Sequence, residues 1–504
     1  MPQDPPWLAH LRGDSTLPTD TGAVRQVLRA GNLRDELLKP GPQPALRMGG
    51  VELTRDELRA QVEAVAGGLR TFGISRGSMV SIYAPNSLSW ITAYLGAIYL
   101  GATVNAINPA YRQEELRHIL ADASPALVIT DSAGQSLVRT VSPTTASALI
   151  DDMPHADPPA GEDINPEDPA LLLYTSGTTG KPKGALLDHG NMLAQARGVV
   201  EAWRWGSGDR IVHALPLFHV HGLGIAFHGA LVAGASMTLI PFSPEAVVAE
   251  LQRDGTMFFG VPAMYQRLVE HLEQHPADLK HVRLFVAGSA PLPPALFERA
   301  AQALGQPVLE RYGITEGGIV VSNPYDGPRQ PGRVGYPLPG VEVRLGDQSE
   351  VLLRGGQVFS GYWHNEAATR EVLADGWLHT GDIGEIGEDG TLAIRGRIKE
   401  LIITGGFNVY PREVELVLEQ HPAVAEVAVV GTPSERWGEE VTAFVVAREP
   451  VKAEELIAFA RERLSTFKCP RVVRFIDVLP KNAMGKVQRS RLDTSTGLSR
   501  AVGS

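Results

Sequence analysis

Apolar residues recur at helical spacing over residues 58–72, where Leu58, Val62, Val65 and Leu69 share one face and Gly73 supplies a stop. The runs M-V-S-I-Y (79–83) and A-L-V-I-T (126–130) are short, apolar and rich in β-branched residues, and they predict buried strands. The most apolar stretch, 91–107, is short and interrupted by glycines, so it predicts a buried core helix and not a membrane span. Alternation of strand and helix patterns predicts α/β layers around a largely parallel sheet. Residues 143–169 turn rich in Asp, Pro and Ala and predict a surface connection, which leads into Leu171-Leu172-Leu173 and the loop behind it.

A second break falls at R-G-R-I-K-E, 395–400. Beyond it the pattern gives strands at 401–404, 424–430 and 441–446 and two helices. The first opens on Pro411, suited to an initial turn, and is expected to bury Val414, Val417 and Leu418. The second, 454–464, aligns Leu456, Ala460 and Leu464. A piece of this size can fold alone. The expected fold class is therefore α/β: a large N-terminal domain of layered sheets and helices, 1–396, with a smaller mobile α+β C-terminal domain, 397–504.

Composition narrows the class. A chain of 504 residues exceeds what one core usually supports, and 43% hydrophobic with 20% charged residues is ordinary for a globular protein. The net charge of -11 gives no general pull toward nucleic acid or an anionic membrane. One cysteine, Cys469, excludes an internal disulfide and suits a reducing cytosol, and the N-terminal residues lack the basic and apolar regions of a signal peptide. A cytoplasmic location is expected. Oligomeric state stays open, a homo-oligomer included.

The strongest chemical signal is Y-T-S-G-T-T-G-K-P-K-G, 174–184. Hydroxyls, glycines and two lysines after an apolar run can cradle a polyphosphate with backbone N–H groups and cations. The common phosphate loop does not fit, because Gly177 and Gly180 are too close and Pro182 follows Lys181 where Ser or Thr would bind magnesium. Taken alone, the run is equally a surface loop. Further motifs follow in order: Y-G-I-T-E (312–316), T-G-D (380–382), G-R-I-K-E (396–400), G-G-F-N-V-Y-P (405–411) and P-K-N-A-M-G-K (480–486). Together with the loop they resemble the acyl-adenylate-forming superfamily, which holds acyl-CoA synthetases, luciferases and nonribosomal adenylation domains, over nearly the whole chain.

This resemblance implies ATP, Mg²⁺ and CoA as co-substrates and cofactor of a small carboxylic acid. It implies ATP contacts from Thr175, Ser176, Gly177, Thr178, Thr179, Gly180 and Lys183 in the loop. Gly288, Ser289, Ala290, Glu310, Arg311, Tyr312, Gly313 and Thr315 would frame adenine and the α-phosphate, with Asp382 and Arg397 on the ribose. Tyr312 either stacks on the base or fills the core. Catalysis would rest on Lys486, Thr315 and Glu316, with Glu316 also the magnesium ligand. A lysine here can neutralise an attacking carboxylate and the α-phosphate together as charge develops. Lys399 corresponds to the hinge about which the small domain rotates, and Gly405, Gly406 and Phe407 to the element that admits pantetheine. The basic segment 461–491 either holds CoA phosphates or is a solvated face.

For the acid, the segments 216–223, 257–265, 283–290 and 322–327 resemble malonyl-CoA synthetases. A dicarboxylate needs a distal cation, for which Arg283 is the candidate, with His219 and Gly313 lining the acyl pocket. His219 is otherwise a satisfied core histidine. The apolar run 317–321 departs from that pattern and would open the pocket to a bulkier or uncharged chain. Three readings follow: a short-dicarboxylate CoA ligase, a ligase for a medium, long or aromatic acid, or an adenylating enzyme that loads a carrier protein.

Overall fold

The helix expected at 58–72 runs Arg55–Thr71. Thr54 Oγ1 accepts from Glu57 N at 3.2 Å while the Glu57 carboxylate accepts from Thr54 N at 2.8 Å, a reciprocal cap for donors that the first turn leaves open. Gly73, at φ +78°, closes the other end. Its apolar face lies on helix Leu88–Tyr99, where a Cβ at Gly96 would stand 3.1 Å from Val65 Cγ1. A computed structural model describes residues 4–492 except 12, 14, 159–160, 176–181 and 483–484.

The apolar stretch 91–107 is not one helix. Helix Leu88–Tyr99 ends, Gly101 turns the chain at φ +69°, and strand Thr103–Ala106 follows. Apolar content alone cannot separate a buried helix from a buried strand; β-branched Thr103 and Val104 favour the pleated surface. The connection at 143–169 is also more than surface loop. It contains strand Ser147–Leu149, buries Ile150, Met153 and Ile164, and presses carbonyls of Pro154 and Ala156 onto Gly68 and Gly67 of the first helix.

Two large sheets carry the N-terminal unit. One orders Gly361–Tyr362, Lys183–Asp188, Pro169–Thr175, Thr103–Ala106, Met79–Tyr83, Leu127–Thr130 and Ser147–Leu149, and is parallel from Pro169–Thr175 onward. The other is parallel from Leu309–Ile314 through Leu284–Ala287, Met257–Gly260, Arg210–His213 and Ser236–Leu239 to Pro44–Met48. One continuous apolar core joins the two sheets and their helices. A five-stranded antiparallel sheet, including Trp377–Ile386 and Leu392–Arg397, follows. The expected domain boundary after residue 396 falls at the end of its last strand, just before the turn Ile398–Glu400.

The small C-terminal unit has its own sheet and its own core around Val414, Leu418, Val429, Val441 and Leu456. Its first helix is Pro411–Leu418, which buries Val414 and Leu418 as expected but Glu415 in place of Val417. Its second is Ala453–Arg461, so Leu464 packs on the core from just beyond the helix. No helix among the described residues is long and apolar enough to cross a membrane.

Candidate active site

Parallel strands of the second sheet end together, and their C-terminal ends bring the site residues to one place. Strand Leu284–Ala287 delivers Gly288 and Ser289, and Leu309–Ile314 delivers Glu310, Arg311, Tyr312 and Gly313. The chain turns at Thr315 and Glu316 and returns as Gly318–Ser322. That return strand holds Ile319, Val320 and Val321 in the core, so the apolar run is a packed strand.

Arg311 is the unusual group. Its side chain lies across Gly288, where an added Cβ would stand 2.2 Å from the guanidinium carbon. The residue is 5% exposed, Nε has no hydrogen-bond partner, and Nη2 donates only a long bond, 3.5 Å, to Ser289 Oγ. Burial pulls its pKa down to about 9, which leaves it cationic at neutral pH. His221 Nδ1 lies 3.2 Å from the same Ser289 Oγ, and His219 Nδ1 accepts from His221 N at 3.2 Å. Burial, then Arg311, lowers His219 to about 4 and His221 well below the usual imidazole range, so both are neutral at pH 7.

Arg283 does not join this group. It precedes strand Leu284–Ala287, five residues and roughly 16 Å from Gly288 along an extended chain. Its Nε and Nη2 grip Asp209 at 2.6 Å each, and Nη1 donates to Trp203 O at 3.0 Å. Burial opposes both charges, but their mutual bonds outweigh it, holding Asp209 below and Arg283 above its ordinary pKa. The pair fastens a strand start and leaves no donor fork for a substrate. Arg283→Ala is expected to destabilise the fold by about 2–3 kcal/mol by stranding a buried carboxylate, with KM for the acid unchanged; urea unfolding and steady-state kinetics check it.

Asp382, expected at the ribose, is nearly inaccessible. Its Oδ2 accepts from Tyr312 Oη at 2.6 Å and its Oδ1 pairs with Arg397 Nε at 2.8 Å, since Asp382 and Arg397 face each other in an antiparallel ladder. Burial, then Asp382, raises the Tyr312 phenol well above its ordinary pKa, which keeps it a donor. Glu310 points inward, accepting from Gly332 N at 3.3 Å, and burial pushes it up to about 8. Gly313 cannot carry a side chain, because a Cβ would stand 2.2 Å from Gly318 O.

Lys486 reaches this cleft from the small unit. Its N–H donates to Asn482 Oδ1 at 2.9 Å, and Gly485, at φ +73°, lies against Ala263 and Val261 of the large unit. Burial first, then Arg397, lowers the Lys486 pKa, while Asp382 and Glu400 oppose that shift. Ser176, Gly177, Thr178, Thr179 and Gly180 lie outside the described residues. Their flanks form a hairpin in which Thr175 pairs with Lys183. Sequence reasoning missed Tyr362, whose Oη donates to Glu316 Oε1 at 2.8 Å; the only signal was a Gly-Tyr-Trp run with no chemistry of its own.

The elements expected to meet CoA lie elsewhere on the small unit. Gly405 (φ +58°) rests on the Trp437 ring, Gly406 (φ +81°) has open space where a Cβ would point, and Phe407 is 54% exposed and stacked on Phe467. Lys399 is exposed in the turn Ile398–Glu400. The basic segment is less free than its sequence implies. Lys468 pairs with Glu413, Lys481 with Glu426, and Arg489 with Glu400 and Glu415, acids supplied from distant positions.

Residues 34–363 match the AMP-binding enzyme family and 413–486 match the AMP-binding enzyme C-terminal domain. A long-chain-fatty-acid–CoA ligase of Bacillus subtilis is 31% identical, covering 98% of this chain and 98% of that protein. An oxalate–CoA ligase of Arabidopsis thaliana is 34% identical over 88% of this chain and 93% of its own length. The crystal structure of ATP-bound MatB from Rhodopseudomonas palustris superposes with a TM-score of 0.85 at 34% identity, covering 91% of this chain and 97% of that one. With a family match in each unit, in order, and a curated ligase aligned along 98% of the chain, the chain belongs to the AMP-binding enzyme family and is an ATP-dependent, AMP-forming acid–CoA ligase.

Proposed function

We propose that the acid activated is a short dicarboxylate, with malonate and its methyl derivative as first candidates. The observation that carries this is Arg311, a buried cation with no carboxylate partner among the described residues, beside Ser289 and His221. An uncompensated buried charge is costly, and a substrate's second carboxylate would offset it with charge-assisted bonds. This gives the distal anchor to Arg311, a residue the resemblance had placed on the nucleotide, in place of Arg283. Neutral His219 and His221 add hydrogen bonding without repelling an anion. The similarity to an oxalate–CoA ligase supports a dicarboxylate.

In the first step the reacting carboxylate oxygen bonds to the α-phosphorus of ATP, the α–β anhydride bond breaks, and pyrophosphate leaves. Lys486 neutralises the attacking carboxylate and the α-phosphate, Thr315 donates to that phosphate, and Thr175 with Lys183 borders the β- and γ-phosphates. Asp382 and Arg397 hold the ribose. Glu316 would hold magnesium, which draws charge from the phosphates. One carboxylate suits an ion whose other ligands are phosphate oxygens, and among the described residues no group of three or more His, Cys, Asp or Glu forms a cage of its own. In the second step the CoA sulfur bonds to the acyl carbon, AMP departs, and the thiol proton is released. Rotation about Lys399 brings Gly405, Gly406 and Phe407 to the cleft for this step.

A panel of acids tests the reading. Wild-type enzyme is expected to turn over malonate or methylmalonate better than octanoate or benzoate. Arg311→Met, which keeps volume and removes charge, is expected to raise KM for the dicarboxylate about 10–100-fold, to leave KM for ATP little changed, and to improve uncharged acids of similar size. Preference of the wild type for a fatty or aromatic acid, with malonate ignored, overturns the dicarboxylate reading. AMP release that does not depend on free CoA would favour carrier-protein loading.

A further inference from the structure

Glu316 is tied at two points to one segment of the chain. Its backbone oxygen accepts from Phe359 N at 2.8 Å, and its side-chain Oε1 accepts from Tyr362 Oη at 2.8 Å. Tyr362 is itself fixed. Its strand Gly361–Tyr362 pairs with Lys183–Asp188, its N–H donates to Thr369 Oγ1 at 2.9 Å, and its ring stands edge-to-face on Phe359 with centroids 5.0 Å apart. On the ring face lies Lys183 Nζ, 5.3 Å from the centroid. One aromatic residue therefore touches both the carboxylate expected to hold magnesium and the lysine that closes the phosphate loop.

We propose that Tyr362 is a positioning residue for the metal–nucleotide site: its hydroxyl aims the Glu316 carboxylate and its ring keeps Lys183 from pairing with that carboxylate. Both charges lie against this one side chain, and without it a cation and an anion that share a neighbour would be free to pair, so that Glu316 would meet magnesium only after that pair broke. The phenol prevents this by giving each charge a different partner, the oxygen a proton and the ammonium a π-face. The role parallels that of outer-sphere partners in metal sites generally, which orient a ligand without touching the ion. The inference rests on the proposed binding of a metal–ATP complex at Glu316.

Tyr362→Phe keeps the ring and its contacts with Lys183 and Phe359 and removes only the hydroxyl. Mn²⁺ uptake, read by the loss of the free-ion EPR signal in the presence of a non-hydrolysable ATP analogue, is expected to weaken about 10-fold in this variant, toward 100-fold in Tyr362→Ala. Binding of the same analogue in EDTA is expected to stay within about twofold of wild type, as is conversion of preformed acyl-adenylate to thioester; a general loss of structure would move both. The Mg²⁺ concentration for half-maximal adenylation is expected to rise with the Mn²⁺ dissociation constant. If the wild type takes up Mn²⁺ with the analogue and Tyr362→Phe does so equally well, the positioning role is wrong and the metal site stands. If the wild type takes up none, the metal reading of Glu316 fails as well.

Discussion

Lys486→Ala is expected to slow acyl-adenylate formation by roughly 10²–10³-fold or more, while thioester formation from preformed acyl-adenylate and CoA survives. The asymmetry follows from where charge gathers. In the first half-reaction a carboxylate approaches a polyphosphate, and Lys486 is held in the cleft, on a turn shaped by Asn482 and Gly485, with Asp382 and Arg397 close enough to move its pKa. In the second half-reaction a neutral acyl carbon is attacked and that cation has no comparable task. Pyrophosphate release and single-turnover thioester formation measure the two separately. Equal loss in both excludes the assigned role.

A bulky residue at Gly406 is expected to do the reverse, sparing adenylation and slowing thioester formation by about 10²-fold or more. In the present arrangement a Cβ at Gly406 meets nothing within 4 Å, so adenylation has no steric reason to suffer beyond the strain of a positive φ. Once the small unit turns, the same surface would face incoming pantetheine, where added bulk obstructs. Lys399→Pro is expected to show the same asymmetry, because a fixed φ in the turn Ile398–Glu400 resists rotation. Half-reaction assays on both variants check this. A variant that adenylates as poorly as it forms thioester would remove the case for two conformations.

Much of the fold was legible locally. The Thr54–Glu57 cap, the stripe of Leu58, Val62, Val65 and Leu69, and strand Met79–Tyr83 are written in spacing that any short segment carries. The stretch 91–107 was misread because burial erases the polar face by which helices and strands are distinguished, leaving only Gly101 to mark the break. The family was legible as an ordered set of motifs, and neighbouring strand ends carry Gly288, Ser289, Tyr312 and Gly313.

Which cations are free was decided by the tertiary structure alone. Arg283 looks available in sequence, yet Asp209, 74 residues earlier, takes both of its fork nitrogens. The basic segment at 461–491 seems to face few acids until the fold brings Glu400, Glu413, Glu415 and Glu426 against it. Conversely, Arg311 sits beside Glu310 in the chain but ends buried over Gly288 without a carboxylate among the described residues, because neighbours on a strand point to opposite faces. Sequence thus determined the family, the order of the motifs and those elements that keep a polar face, which depend on short-range spacing. Charge pairing depends on which distant segments fold together and on how far water is excluded between them, and so only the three-dimensional arrangement could separate an arginine held by a carboxylate from one that has none among the described residues.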